Sequence, residues 1–96
     1  MPKTFQIVTT PAFERDVRRC LRGAPNVIIA LEEAQTVLRT DPNNRNQQHN
    51  IRKLTNVKKG EGQWRIRVGD YRLRYDIVGP EVVLYSFRHR REVYRR

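Results

Sequence analysis

Two short runs around a single Gly-Asp pair limit this 96-residue chain more than any other part of it. From Gln63 to Val68, the residues Trp64, Ile66 and Val68 alternate with Gln63, Arg65 and Arg67. From Tyr71 to Ile77, the residues Tyr71, Leu73, Tyr75 and Ile77 alternate with Arg72, Arg74 and Asp76. A period of two marks a strand buried on one face, because successive side chains point to opposite sides of the pleat. Gly69-Asp70 between the runs suits a two-residue hairpin turn, in which glycine supplies the positive φ. The register follows from the turn: Val68 faces Tyr71, Arg67 faces Arg72, Ile66 faces Leu73, Arg65 faces Arg74 and Trp64 faces Tyr75. One side is then apolar throughout, and the other gathers four arginines.

A third strand, Val82 to about His89, continues the sheet after Val78-Gly79-Pro80. A three-residue turn puts Val83, Tyr85 and Phe87 on the core face and Arg88 and Arg90 with the arginines, whereas a two-residue turn reverses the assignment. The first is expected, because it buries two aromatic rings and keeps Arg88 out of the core.

Upstream, Phe5 to Val8 read as a strand, and Thr10-Pro11 as an N-cap followed by proline at the first helical position. Pro11 to about Arg22 form an amphipathic helix with Phe13, Val17, Cys20 and Leu21 inward, stopped by Gly23. Asn26 caps a second helix with Val27, Leu31, Ala34 and Leu38 on one face, ended by Asp41-Pro42. PNNRNQQHN, from Pro42 to Asn50, is a polar surface loop leading to Leu54, a buried anchor. His49 within it is read as solvated. The expected architecture is α+β in one domain over residues 1–96: an N-terminal strand, a two-helix layer, then a three-strand antiparallel meander, in the order β-α-α-β-β-β.

Charge is where composition matters. The net charge is +10, and it is uneven. Residues 1–51 hold seven basic and five acidic side chains (+2), and residues 52–96 hold thirteen and five (+8). Such an excess points to a polyanion or to an acidic protein that neutralises it. Arginine in particular presents a planar fork that matches phosphate oxygens and never loses its charge. Like charges directly opposite on a sheet are destabilising by up to roughly 1 kcal/mol per pair, so something must offset the repulsion among Arg65, Arg67, Arg72 and Arg74. A phosphate backbone would. Cys20 is the one cysteine, which excludes an internal disulfide and a cysteine-based zinc cluster. Nothing has metal-ligand spacing or a nucleotide-binding glycine loop, and no cofactor is expected. No apolar run approaches a membrane span or a secretory signal, so a cytoplasmic protein is expected.

The run from Trp64 to Tyr75 (WRIRVGDYRLRY), followed by His89-Arg90-Arg91-Glu92-Val93-Tyr94, resembles the C-terminal signature of RelE-like toxins in the RelE/ParE superfamily. The resemblance implies two helices packed on a curved antiparallel sheet. It implies the toxin of a type II toxin-antitoxin pair, a ribosome-dependent endoribonuclease that cuts mRNA and is silenced by an acidic, RelB-like antitoxin in a hetero-oligomer. Arg65, Arg67, Arg72, Arg90 and Tyr94 match catalytic positions of that type, and His89 falls where family members have histidine or lysine near the site. The chain is shorter than the best-known members between Arg90 and Tyr94, so Arg88 is an alternative to Arg90. Arg74, Arg88, Lys53 and Arg91 are expected to hold RNA beside them.

The implied chemistry is metal-independent. The 2′-hydroxyl of RNA attacks the adjacent phosphorus, which needs a base, cationic donors for the charged transition state, and an acid for the leaving 5′-oxygen. Arginines suit the middle task. His89 and Tyr94 are the proton-transfer candidates, Tyr94 if guanidinium groups depress its pKa. Trp64 alternates with Ile66 and Val68 and is assigned to the core rather than to base stacking. Two other functions remain open: a ParE-like toxin that poisons DNA gyrase, whose family generally lacks the arginine cluster, and a noncatalytic nucleic-acid-binding module.

Overall fold

The computed structural model describes residues 4–22 and 26–91. In chain order these form β1 (Gln6–Thr9), α1 (Pro11–Leu21), α2 (Val27–Thr40), β2 (Ile51–Lys53), β3 (Trp64–Val68), β4 (Tyr71–Val78) and β5 (Glu81–His89). The expected strand, two helices and three-strand meander are all present. The sheet also has two features absent from the expectation. Ile51–Lys53 adds a strand antiparallel to β3, and β1 pairs parallel with β5, giving the order β1-β5-β4-β3-β2.

Local chemistry explains the first junction. Thr10 is extended (φ −120°, ψ 159°), and its hydroxyl accepts the N–H of Phe13 at 3.2 Å while Pro11 opens α1. The same hydroxyl donates to the carbonyl of Leu84 at 2.8 Å, so the cap also fixes α1 to β5. β1 ends at Thr9, opposite Leu84, and α1 takes over the exposed edge of β5 from there. Asp16 accepts the N–H of Phe87 at 3.0 Å, and the Cys20 thiol lies 3.8 Å from the carbonyl of Phe87. Asp16 is therefore buried rather than on the solvated side of its helix, and Leu21, expected inward, is 40% exposed. A buried carboxylate is favourable here because it satisfies a strand N–H that has no neighbouring strand. Asn26 does precede α2, but it is helical and its side chain makes no capping hydrogen bond.

Both helices lie on one face of the sheet. Phe13, Cys20, Val27, Ala30, Ala34 and Leu38 from the helices meet Ile66, Tyr71, Leu73, Tyr75, Val82, Leu84 and Phe87 from the strands. Tyr71 stacks on Phe87 at 5.0 Å, and Trp64 stacks on Tyr75 at 6.4 Å, partly buried at the margin of this core. The Tyr75 hydroxyl is fully enclosed and donates to the carbonyl of Pro42 at 2.7 Å.

The β3–β4 register is the one derived from the Gly69-Asp70 turn, pair for pair. The β4–β5 hairpin corrects the sequence reading. Val78 pairs with Glu81, so the turn is Gly79-Pro80, two residues long, and Val82 and Leu84 are buried instead of Val83 and Tyr85. A β-bulge then intervenes: Tyr75 pairs with Leu84 but Arg74 pairs with Ser86, leaving Tyr85 as the extra residue. Beyond it the alternation is inverted, Phe87 enters the core opposite Leu73, and Arg88 faces Arg72. Both expected placements at the far end hold, through a bulge rather than a longer turn.

Candidate nucleic-acid interface

The face of the sheet away from the helices collects arginine by strand register alone. Arg67, Arg72 and Arg88 stand side by side across β3, β4 and β5. One step along, Arg52, Arg65 and Arg74 stand side by side across β2, β3 and β4, with Ser86 completing the row. Neighbours in a row are about 5 Å apart between Cα atoms, and the rows are separated by two residues, or ~6.7 Å. Four Arg–Arg pairs are thus directly opposed, each destabilising by up to roughly 1 kcal/mol.

The six guanidinium groups are not equivalent. Arg67, Arg52 and Arg88 are exposed, whereas Arg72, central in its row, is 8% exposed. Enclosure by its neighbours lowers the dielectric around Arg72, which strengthens any charge-assisted bond it makes to an anion. Arg88 is drawn toward the sheet edge, where its Nε lies 3.9 Å from Asp16, itself paired with Arg19 at 3.1 Å. Arg74 is turned inward: its Nε and a terminal nitrogen donate to the carbonyl of Gly62 at 3.1 and 2.9 Å.

The remaining candidates divide by position. Arg90 follows β5 and donates its N–H to the carbonyl of Asp70 at 2.6 Å, which holds it at the same end of the sheet as the Arg67–Arg72–Arg88 row. Arg91 is exposed beside it, its N–H bonded to Nδ1 of His89. His89 pairs with Tyr71 and packs edge-on to that ring at 5.3 Å, so strand alternation sets it on the helix side, away from Arg72. Lys53 likewise lies over the Trp64 ring at 5.6 Å, not with the arginines. Tyr94 lies outside the described residues. Arg52 is the arginine that sequence reasoning missed. The available signal was the short alternation Ile51-Arg52-Lys53, with Ile51 opposite Ile66.

One phenol does stand on this face. Tyr85, the bulge residue, hydrogen-bonds Asp76; burial first, then the Asp76 charge and that bond, raise its pKa above the ordinary value. It is held neutral as a donor, the wrong state for a base. The described residues of this face therefore offer cationic donors for phosphate, with groups of three possible metal ligands absent among them. A cleft between the start of β1, the end of α2 and Gly79-Pro80 lies at the opposite end of β4 from Arg72. No helix among the described residues is long and apolar enough to cross a membrane.

A two-helix layer on an open mixed sheet, entered by a parallel N-terminal strand, is the fold of the RelE/ParE superfamily of toxins. The model of the ParE toxin family of type II toxin-antitoxin systems (parDE) matches residues 7–94, and the chain belongs to that family. Two solved structures share the fold. The toxin-antitoxin complex RelBE2 of Mycobacterium tuberculosis matches with a TM-score of 0.68 and 22% identity, over 90% of this chain and 98% of that one. The RelB-RelE antitoxin-toxin complex of Methanococcus jannaschii matches with a TM-score of 0.59 and 20% identity, over 92% of this chain and 95% of that one. No curated protein matches in sequence.

Proposed function

We propose that this toxin is an endoribonuclease that cuts mRNA on the ribosome by metal-independent 2′-hydroxyl attack, the arginine face binding the scissile phosphate. The two registered rows of arginine carry the reading. Their mutual repulsion opposes folding, and a polyanionic substrate turns the same positions into a set of charge-assisted bonds. Arg67 and Arg72 orient the phosphate and stabilise the charge developing on its oxygens, with Arg65 behind them and Arg90 or Arg88 closing the side toward β5. Tyr94 is the group we assign to proton transfer. The partner that silences the toxin is an acidic, RelB-like antitoxin, a reading supported by the fact that both solved structures sharing its fold are toxin-antitoxin complexes. Acidic side chains laid on this face would both block it and relieve its repulsion.

A second reading, inhibition of DNA gyrase, is favoured by the ParE family match across residues 7–94. Mapping mRNA 5′ ends on translating ribosomes with added toxin separates the two, with ribosome-free RNA and an Arg67→Ala variant in parallel. Ribosome-dependent cuts that disappear in the variant support cleavage. Intact mRNA in the presence of folded toxin rejects it and directs attention to gyrase supercoiling.

A further inference from the structure

Asp76 is the group on the arginine face that the cleavage reading leaves unused. It is a carboxylate 1% exposed, and its oxygens accept the N–H groups of Gly60 and Gln63, the latter at 2.7 Å, as well as the Tyr85 hydroxyl. Two residues back along β4, Arg74 holds the carbonyl of Gly62. Both anchors grip one loop, residues 54–63, which is closed at its base by the bond from Leu54 N–H to the Gln63 carbonyl at 2.7 Å. Within it, Gln63 Nε2 donates to the carbonyl of Val57 at 3.0 Å, and the Glu61 carboxylate accepts the N–H of Lys58 at 3.2 Å. The seat is tight: Gly62 has φ +85°, and a Cβ there would lie 2.9 Å from Cβ of Arg74.

The outcome of this pinning is the position of Lys58 and Lys59. Both are exposed, and Lys59 immediately precedes the N–H held by Asp76. Strand alternation places Asp76 and Arg74 on the same face as Arg72, so the loop stands on the sheet just beyond the row Arg52–Arg65–Arg74. Two further ammonium groups beside six arginines increase the local repulsion, and a fully buried, hydrogen-bonded carboxylate keeps them there. We propose that the loop is a preformed wall of the RNA groove and that Lys58 and Lys59 hold phosphates flanking the one bound by Arg67 and Arg72. This rests on the nucleic-acid reading above. Lysine suits such flanking positions because it acts as a mobile point charge without the directional fork of arginine, and a wall ordered before binding loses little entropy on contact. Arg74 and Asp76 are then positioning residues for the loop.

The test is the salt dependence of binding to a fluorescein-labelled 2′-O-methyl RNA oligonucleotide, which lacks the attacking hydroxyl. For K58Q/K59Q the slope of log K against log salt becomes shallower by about 1.4, two phosphates at ~0.7 each, and affinity falls about tenfold at ~0.1 M salt. Unchanged slope and affinity in that variant, with salt-dependent binding by the wild type, overturn the wall while sparing the arginine site. Absence of salt-dependent binding by the wild type overturns the nucleic-acid reading and the wall with it.

Discussion

The two faces of the β3–β4 hairpin are built from the same ten paired residues and obey opposite rules. On the helix side, Ile66, Leu73 and Tyr75 are at most 2% exposed, and each identity is accounted for by what covers it. On the other side, Arg65, Arg67, Arg72 and Arg74 oppose one another pair for pair; Arg74 holds the carbonyl of Gly62, but the cross-strand pairing of the four is opposed by their charge. A residue type that stability explains is part of the scaffold. One that stability opposes is a statement about something the protein meets.

That contrast can be broken by mutation. Leu73→Ala should lower unfolding free energy by about 2–5 kcal/mol, through lost transfer energy and a cavity, while cleavage per folded molecule stays unchanged. Denaturant unfolding paired with the ribosome assay reads both quantities. Arg67→Ala should do the reverse, because its side chain is exposed. Stability should shift by no more than about 0.5 kcal/mol, while cleavage falls about 10²–10³-fold, the loss typical of removing one transition-state donor. Equal damage by both variants to stability and to cleavage would dissolve the distinction between the faces.

Asp76→Ala tests a place where the arginine face carries structural weight. It leaves the N–H groups of Gly60 and Gln63 without their carboxylate, and stability should drop by about 1–3 kcal/mol. Protection of those two amides from hydrogen exchange should fall with it. The smallest effect belongs to Tyr75. Burial, with the Asp41 charge adding, pushes its phenol far above the ordinary value of 10. In the unfolded chain the phenol ionises near 10, so its contribution is complete below that pH and is lost as pH rises above it. Tyr75→Phe should cost about 1 kcal/mol at neutral pH, by removing the bond to Pro42, and should flatten the alkaline fall in stability. An alkaline titration followed by circular dichroism checks both.

The hairpin was legible because its information is local: a period of two, a glycine turn and a register that each determines the others. Helix faces were legible for the same reason, down to Phe13 and Leu38. What escaped depends on distant partners. The three-residue strand Ile51–Lys53 exists only through its pairing with β3, and Arg52 joined the site with it. Asp16 is buried because α1 happens to run along the part of β5 that β1 leaves open, which no periodicity within α1 encodes. The capture of Arg74 by Gly62 likewise needs the loop to be folded first.

The bulge at Tyr85 has a meaning for comparing this chain with its relatives. One surplus residue reverses the parity of everything after it, so the sidedness of Arg88 is set jointly by the length of the Gly79-Pro80 turn and the presence of the bulge. A relative without the bulge keeps its arginine on the same side only if its turn gains one residue, an insertion six or so positions away from the deletion it offsets. A relative that lacks the bulge but keeps the two-residue turn shares the arginine in print, aligned column by column without gaps, and displays it on the opposite surface in space. Sidedness at this strand has to be counted in paired rungs from the turn, the bulge residue left out, rather than in columns.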